Sequence, residues 1–505
     1  MLMPWLLLMA VLAPLYMTVP PSPDQSQFDW MAYIATQGQP FYAGSFDMNW
    51  PGAIWLHELG VRLFGVHAWT WRLTDFLLLC GFTVAGAAFL ERAGWRLAPL
   101  VFLFLYPILY VTAGAWMAGQ RDIIATGFLL AACALAMPGG RNERLAVVGA
   151  GLFVAAAVLI RPTFLSFLAG LILLEALPLK MPTPPRLGRL NRAIGFAAGF
   201  VLGIGAAVAA GIGLGNLDDW YQQSFEFSLS IYVGEAPQDW RVTLETLFVR
   251  SWHWITLIAV LGLVFWASRD RFAYPLVLIL GLAATSAVSF AAQNKGFAYH
   301  LAGVLPVLVL FVAVAFDRLA FFLKAARSAV SRGAALVALV LTGLLVLAGS
   351  ASKLSSLTEG ARLIVTGDFG PVAGYGLTET ERRHIIEMIR EGSVATDTVA
   401  VYGTNYELPY RAERMPTYRF FTPAADQITR EFIHGDAWLA EIEAALADRS
   451  PAFAIVSRNF LDGSPEAPRP EVAERLILTR LLEHLSTGYD VVFENDRLIV
   501  YRRTS

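Results

Sequence analysis

Charged residues and cysteine are both scarce in this chain of 505 residues. Only 15% of the residues are Asp, Glu, Lys or Arg, whereas an ordinary globular protein carries roughly a quarter. The two cysteines, Cys80 and Cys133, lie in apolar runs, which excludes a disulfide framework and a CxxC metal site. A hydrophobic content of 56% excludes a cytosolic enzyme, a disordered chain and a porin-type barrel. The formal net charge of −2 gives no indication of a nucleic-acid partner.

The charged residues are also unevenly distributed along the chain. Residues 1–350 contain 38 of them, whereas the much shorter segment 351–505 contains 40. The first segment therefore has the composition of a membrane protein and the second that of a soluble domain. We predict a transmembrane domain over 1–350 and a soluble domain over 351–505.

Long apolar runs dominate the first segment. A helix needs about 20 apolar residues to cross roughly 30 Å of hydrocarbon, and about eleven runs approach this length. They lie near 2–19, 73–90, 97–113, 122–137, 145–160, 163–178, 193–215, 252–268, 273–292, 299–323 and 333–349. The first run resembles a signal peptide in position, but it has no basic residue before it and no small-x-small cleavage site. A retained helix is therefore favoured.

The distribution of Lys and Arg predicts the orientation in the membrane. Alternate loops together hold 13 basic and three acidic residues, and short loops with such an excess are cytoplasmic. The basic residues of these loops are Arg92, Arg96, Arg141, Arg144, Lys180, Arg186, Arg189, Arg192, Arg269, Arg271, Lys324, Arg327 and Arg332. With an odd number of spans the N-terminus is cytoplasmic and 351–505 is external, which in a bacterium means the periplasm.

Two predicted external segments, 20–72 and 216–250, are longer than simple connections. Both carry aromatic and apolar residues at helical spacing, which predicts short amphipathic helices at the membrane interface. Aromatic residues there commonly act only as anchors at headgroup depth. An anchoring role and a functional role both remain open at this point.

The C-terminal segment has the pattern of a small α/β domain. Four strands are predicted at Val399–Tyr402, Phe453–Val456, Val491–Glu494 and Leu498–Tyr501, the last two joined by an Asn495-Asp496 turn. Helices are predicted at 378–391, 437–448 and 470–486. No nucleophile elbow, phosphate-binding loop or dinucleotide-binding motif occurs in this C-terminal segment.

Three carboxylates, Asp24, Asp29 and Asp47, follow the first span closely. A carboxylate beside aromatic side chains could serve as a general base if its surroundings adjust its pKa. A loop aspartate could equally cap a helix, as Asp24 could do for the helix that follows it.

The order of motifs in residues 1–350 resembles that of the polytopic GT-C glycosyltransferases. The bacterial relatives of the protein O-mannosyltransferases and the lipid A aminoarabinose transferase are most similar. The motifs are Asp24, Gly38, Tyr42, Asp47, Pro51-Gly52, Leu63-Phe64-Gly65, Arg72, Gly119-Gln120-Arg121-Asp122, and Lys295 to His300 with Pro306. Many relatives have Asp-Glu where this chain has Asp24-Gln25, which puts any metal or acceptor role of that glutamate in doubt.

This resemblance implies a mainly α, GT-C-like membrane helix bundle that transfers a sugar from a polyprenyl-phosphate donor to a hydroxyl outside the membrane. The acceptor would be a cell-surface glycan, a glycolipid or a protein, and the enzyme would lie in the bacterial inner membrane. Asp24 is expected to be the general base, with Asp47 as second choice. Five cations are expected at the donor phosphate: Arg72, Arg121, Arg161, Lys295 and His300. Substrate contacts are expected from Tyr42, Asn49, Trp50, His57, Glu58 and Tyr299.

Several of these residues also have simpler explanations. Arg121 could form a self-contained ion pair with Asp122, and Glu58 could pair with Arg62 along a helix. Lys295 could extend from a helix end towards the interface. His57 and Glu58 near Asp47 could bind a divalent cation, but no ligand spacing supports a metal site, and no cofactor is predicted with certainty.

Three other functions remain open. Within the enzymes, a ligase or polymerase could transfer an oligosaccharide from a pyrophosphate lipid. A transporter or flippase of lipid-linked sugars would need acidic residues deep within spans, whereas Glu175 and Asp317 lie near predicted cytoplasmic ends. An inactive scaffold whose C-terminal domain binds a partner is the third.

Overall fold

The computed structural model describes residues 2–140, 142–213, 216–231, 239–270, 273–366, 377–461 and 476–504. Arg141 and Arg271, which contributed to the predicted orientation, lie outside these ranges, as do part of the segment 216–250 and the start of the helix predicted at 470–486.

A helix covers each of the eleven predicted spans. These helices are Leu2–Met17, Thr70–Arg92, Ala98–Val111, Arg121–Ala136, Glu143–Ile160, Leu165–Ala176, Arg189–Gly213, His253–Asp270, Tyr274–Gln293, Leu305–Ala325 and Ala329–Thr366. Among the described residues, six helical segments are long and apolar enough to cross a membrane, and a bent pair with its break near 249–252 would make seven. Three further apolar helices are shorter. The chain is therefore a membrane protein, and the count of eleven spans stays a prediction.

The chain divides into two compact units. The helical unit comprises Met1–Val19, Asp75–Val208 and Ala236–Ala361, and the α/β unit comprises Pro20–Thr74, Ala209–Glu235 and Arg362–Ser505. The second unit thus joins most of the first predicted external segment to the C-terminal residues, although these segments are far apart in sequence.

Two acidic residues of the helical unit, the half-buried Asp317 and the buried Asp75, have structural partners. Asp317 accepts hydrogen bonds from the backbone N–H groups of Arg96, Leu97 and Ala98 at 2.8, 2.5 and 3.0 Å, and so caps the start of the helix Ala98–Val111. Asp75 is fully buried and accepts hydrogen bonds from the hydroxyls of Tyr16 and Tyr110 at 2.5 and 2.6 Å.

In the α/β unit, five described strands form one sheet in the order β2-β1-β3-β5-β4. The strands are β1 Thr398–Tyr402, β2 Met415–Pro416, β3 Phe453–Ser457, β4 Tyr489–Glu494 and β5 Leu498–Arg503. β1 pairs in parallel with β2 and β3, while β5 is antiparallel to β3 and β4. The four predicted strands and the Asn495 turn are confirmed, and the short edge strand β2 was not predicted.

The α/β unit also contains helices that alternate with these strands along the chain. The main ones are Glu379–Glu391, Gly435–Asp448 and Leu476–Leu485, which confirms the three predicted helices where the chain is described. β3 is buried along its whole length, as expected of a strand that is covered on both faces.

The first external segment contributes two helices to the α/β unit, Pro23–Thr36 and Gly52–Phe64, both as predicted. The indole N–H of Trp30 donates a hydrogen bond to the backbone carbonyl of Arg414 at 2.9 Å. The hydroxyl of Tyr33 donates one to the backbone carbonyl of Glu413, also at 2.9 Å. The aromatic rings that sequence analysis assigned to the membrane interface therefore pack partly against C-terminal residues.

Candidate active site

The helix that carries Asp24 begins with a capping box. The hydroxyl of Ser22 accepts a hydrogen bond from the N–H of Gln25 at 3.3 Å, and Oε1 of Gln25 accepts one from the N–H of Ser22 at 2.9 Å. Pro23 occupies the first helical position, so Ser22 is the cap and the proposed capping role of Asp24 is wrong. Asp24 instead lies in the first turn, partly exposed, where the partial positive charge of the helix favours a carboxylate.

The Asp-Gln departure has a structural explanation. A capping box accepts Glu or Gln at its third helical position, and the side chain of Gln25 is used there. Gln25 is buried and lies at the helix start, so the amide maintains the cap without a second carboxylate beside Asp24.

Asp47 is buried and its carboxylate is held by uncharged donors. The side chain of Gln27 donates to Oδ2 at 2.8 Å, while the backbone and side-chain N–H groups of Asn49 both donate to Oδ1 at 2.6 Å. Asn49, predicted as a substrate contact, therefore positions this carboxylate. The partly exposed ring of Trp50 packs against Trp220 at a centroid separation of 5.6 Å.

Tyr42 has an unusual backbone conformation for a bulky residue, with φ of 70°. Its buried hydroxyl donates to the carbonyl of Asn49 at 2.7 Å and accepts from Ser224 at 3.3 Å. Tyr42 is thus a structural element of the Asp47 loop, and direct contact with substrate stays a prediction.

A second tyrosine brings the two predicted carboxylates into one environment. The hydroxyl of Tyr406 is buried and has no hydrogen-bond partner among the described residues. Burial, followed by the negative charges of Asp426, Asp24 and Asp47, raises the pKa of Tyr406 well above its usual value of 10.0. Tyr406 and the buried Asp426 therefore share an electrostatic environment with Asp24 and Asp47.

His57 is paired with Asp29 in the same unit. Their Nδ1 and Oδ1 atoms are 2.7 Å apart, and both side chains are buried. The guanidinium of Arg72 is fully buried, donates to the carbonyl of Pro20 at 2.5 Å and acts electrostatically on Asp29. These contacts give Arg72 a structural role, and its predicted role at the donor phosphate stays a prediction.

Glu58 forms the predicted pair with Arg62, with Nη2 2.7 Å from Oε1. The arginine side chain is 56% exposed, so this pair is a surface feature of the helix Gly52–Phe64.

The helical unit contains the other predicted phosphate ligands in one cluster. Arg121 begins one helix, Arg161 ends another, and Lys295 and His300 flank the start of the 3-10 turn Ala298–Val304. All four are buried, with exposed fractions of 8, 9, 6 and 4%, and the three permanent cations act electrostatically on His300. The structure therefore brings together four of the five predicted cations.

Asp122 pairs with Arg161 within this cluster. The Nε and Nη2 atoms of Arg161 donate to Oδ2 of Asp122 at 3.1 and 2.7 Å, and Gln293 donates to Oδ1 at 3.3 Å. The suggested Arg121–Asp122 pair is therefore wrong. Adjacent residues on a helix point about 100° apart, so Asp122 faces another helix.

Aromatic rings lie beside the cations. Tyr299 stacks on Phe297 and on Trp116, with centroid separations of 5.4 and 5.6 Å, and contacts His300 edge-on at 4.6 Å. Trp116 is 42% exposed, so the stack reaches the protein surface.

Within the ranges that the structure describes, no group of three or more His, Cys, Asp or Glu side chains has a metal-binding arrangement.

Tyr406 and Asp426 were not predicted as site residues, and neither was the partner role of Asp29. The two C-terminal residues carry no local motif, so no signal in a single sequence marks them. The capping box was detectable, since Ser22-Pro23-Asp24-Gln25 has the S-x-x-Q spacing.

Comparison with known proteins identifies the fold. No family model matches the sequence, and no curated protein is significantly similar to it. Crystal structures of ArnT from Cupriavidus metallidurans are similar over 98% of this chain and 97% of that chain, at 15% identity. Their TM-scores are 0.58 with undecaprenyl phosphate bound and 0.56 in the apo state.

An archaeal oligosaccharyltransferase, AglB from Archaeoglobus fulgidus, is also similar, in its complex with an inhibitory peptide and a dolichol-phosphate. Its TM-score is 0.51 at 11% identity, over 94% of this chain and 72% of that chain. These neighbours are GT-C proteins, so the chain has the GT-C fold that the order of its motifs predicted.

Proposed function

We propose that this protein is a glycosyltransferase that moves a sugar from a polyprenyl-phosphate donor to an acceptor hydroxyl on the outer face of the membrane. In a bacterium this is the periplasmic face of the inner membrane, and the acceptor is a surface glycan, a glycolipid or a protein. The observation that carries the proposal is the buried cation cluster of Arg121, Arg161, Lys295 and His300 within a GT-C fold. The bound undecaprenyl phosphate and dolichol-phosphate of the two neighbours support a lipid phosphate as its ligand.

The chemistry of such a transfer matches the groups present. The acceptor oxygen attacks the anomeric carbon and gives its proton to a carboxylate, while the bond from that carbon to the phosphate oxygen breaks. The electron pair leaves with the polyprenyl phosphate, and a direct displacement inverts the anomeric centre. Fixed cations stabilise the charge that develops on the phosphate, so the leaving group needs no general acid.

Asp24 is the better candidate for the base. Asp47 is only 1% exposed, whereas Asp24 is partly exposed at a helix start. An acceptor hydroxyl can therefore approach Asp24 more directly. Asp47 remains the second candidate.

The alternatives have less support. A ligase or polymerase that uses a pyrophosphate lipid would need the same cations. Only the donor that supports transfer distinguishes it from the proposed glycosyltransferase. For a transporter, both Glu175 and Asp317 have structural partners: Glu175 with Arg192 at 3.0 Å and Asp317 with the N–H groups of a helix start.

The test is sugar transfer by the purified full-length protein from labelled polyprenyl-phosphate sugars to crude envelope glycolipid. Asp24→Asn keeps the shape of the side chain but cannot take a proton, so we expect a loss of about 10²- to 10⁴-fold in kcat with donor binding retained. Asp218→Asn, an exposed residue of the same unit, is the matched control and should transfer like the wild type.

Normal transfer by Asp24→Asn would move the base to Asp47 and keep the enzyme class. Transfer only from pyrophosphate-linked donors would favour the ligase or polymerase. If the wild type transfers no sugar from any of these donors, the proposed function is wrong.

A further inference from the structure

The loop that carries Asp47 contains a strained residue. Tyr42 has φ of 70°, a left-handed conformation that L side chains rarely adopt. Such a conformation persists only when the surrounding contacts determine it strongly, and it is common at functional sites. The position of Asp47, five residues further on, therefore depends on what holds this loop.

Part of the support comes from the segment 216–231. The side chain of Gln223 donates to the carbonyl of Tyr42 at 2.9 Å and accepts from the N–H of Asp47 at 3.0 Å. One side-chain amide thus bridges the backbone carbonyl of the strained residue and the backbone N–H of Asp47.

The rest comes from the C-terminal residue Arg419. Its Nη1 donates to the carbonyl of Tyr42 at 3.2 Å and to Oδ1 of Asp219 at 2.6 Å, while Nη2 donates to Oε2 of Glu441 at 3.0 Å. Its own carbonyl accepts the N–H of Phe46 at 2.8 Å. Arg419 therefore contacts the loop on both sides of its turn.

Packing next to these hydrogen bonds reinforces the arrangement. The fully buried ring of Phe46 lies against Phe227, Phe420 and Trp438, with centroid separations of 5.0, 5.4 and 5.2 Å. The residue directly before Asp47 is thus anchored in an aromatic cluster to which C-terminal residues contribute.

We propose that Arg419 is a positioning residue which fixes the loop 41–49 so that Asp47 and its neighbours take their places in the active site. The C-terminal segment then supplies part of the active-site framework. A planar guanidinium suits this role because one group makes three directed contacts, which a lysine ammonium cannot reproduce at the same positions. The proposal rests on the proposed function for its kinetic consequence but not for its structural one.

The experiment uses the full-length protein in detergent with four variants: Arg419→Gln, Arg419→Lys, Asp219→Asn and the control Arg430→Gln. Arg430 lies in the same C-terminal region and pairs with Asp436, and the two side chains are 56% and 73% exposed. The control substitution therefore removes the same charge as Arg419→Gln without affecting a contact of the loop. Hydrogen exchange of the Phe46 and Asp47 amides is measured together with kcat, the donor KM and the melting temperature.

We expect Arg419→Gln to speed exchange at both amides and to lower kcat, each by about tenfold, with an unchanged donor KM. Arg419→Lys and Asp219→Asn should show smaller effects of the same kind, and Arg430→Gln should match the wild type. A fall in melting temperature without faster exchange at 46 and 47 would show a merely structural role and overturn the proposal.

Exchange and kcat of Arg419→Gln equal to those of Arg430→Gln would also overturn it. Should the wild type transfer no sugar while Arg419→Gln still speeds exchange at these amides, the glycosyltransferase function fails and the positioning of the loop by Arg419 is supported. The two failures are therefore distinguishable.

Discussion

The Nδ1 atom of His57 lies 2.7 Å from Oδ1 of Asp29, and the imidazole stacks on the indole of Trp71 with ring centroids 3.4 Å apart. Burial lowers the pKa of His57 from 6.5, even though Asp29 acts in the opposite direction. Burial likewise raises the pKa of Asp29 above 3.8 despite the neighbouring histidine. The loss of water therefore outweighs the attraction between the two groups.

The histidine of this pair is predicted to contribute a loss of stability on mild acidification. A histidine whose folded pKa is lowered contributes stability that is present above pH 6.5 and is lost as the pH falls from 6.5 through the folded pKa. For Asp29, whose pKa is raised, the contribution is present below pH 3.8 and is lost as the pH rises through its folded pKa. Between pH 7 and 5.5 the histidine's contribution to stability therefore falls with falling pH, with a slope of at most about 1.4 kcal/mol per pH unit, and the contribution of Asp29 acts in the opposite direction.

We expect His57→Gln to reduce this dependence, measured as the free energy of unfolding in denaturant titrations across that pH range. His67→Gln, which replaces a partly exposed histidine of the same unit, is the control. An identical pH profile for wild type and His57→Gln would contradict the prediction.

The capping box of Ser22 predicts a specific effect on activity. Ser22→Ala should cost about 1 kcal/mol of stability and should also lower kcat, because it loosens the first turn that carries Asp24. Donor binding at the cation cluster should be unaffected. Denaturant titration and steady-state kinetics measure both effects.

Thr378→Ala is a matched control for this prediction. Thr378 caps the helix Glu379–Glu391 through a capping box with Glu381, so its removal should cost a similar amount of stability. Unlike Ser22→Ala, it should leave kcat unchanged. Equal losses of kcat in the two variants would assign the effect to general destabilisation.

Sequence reasoning predicted the elements of this fold better than their associations. Apolar length and strand pattern are local properties, so the eleven apolar runs coincide with helices and β1, β3, β4 and β5 lie where they were predicted. The association of residues 20–74 with the C-terminal sheet depends on contacts such as Trp30 to Arg414, which span hundreds of residues. No periodicity within either segment specifies such a contact.

The residues of the candidate site were likewise predictable only in part from the sequence. Motif order indicated Asp24, Asp47 and the cations around His300 as candidates, and for the cations the predicted ends of apolar spans also indicated their positions. It could not indicate Tyr406, Asp426 or Arg419, whose contacts with residues 20–74 arise only when the C-terminal segment packs against them. The choice of Arg161 over Arg121 as the partner of Asp122 likewise depends on which way a helix face points.

The place of Lys295 in the cation cluster predicts that its charge strengthens binding of the lipid phosphate. If it is a ligand of the donor, Lys295→Gln should raise the Kd for undecaprenyl phosphate by about tenfold or more, since hydrogen bonds to charged groups contribute roughly 1.5–3 kcal/mol. Lys324→Gln, an exposed lysine near the opposite end of the following helix, removes the same charge and should leave the Kd unchanged. Titration of the purified protein with the lipid phosphate measures both. Equal Kd values for the two variants would exclude Lys295 from the phosphate site.

The buried contacts of Arg192 predict an effect on the stability of the fold. This effect is separate from the contribution of Arg192 to the predicted orientation in the membrane. It is fully buried, pairs with Glu143 and with Glu175 at 3.0 Å, and donates to the carbonyl of Ala136 at 2.6 Å. Removal of one member of a buried ion pair leaves uncompensated charge and typically costs about 3–5 kcal/mol.

Arg192→Gln should therefore destabilise the protein strongly in titrations with a denaturing detergent. Arg144→Gln, an exposed arginine from the same predicted cytoplasmic set, should have little effect on stability. The destabilisation by Arg192→Gln comes from the buried carboxylates of Glu143 and Glu175, which lose their cation. Changing both glutamates to Gln as well should therefore recover much of the lost stability. No recovery in the triple variant would mean that packing of the guanidinium, and not its charge, stabilises this end of the helices.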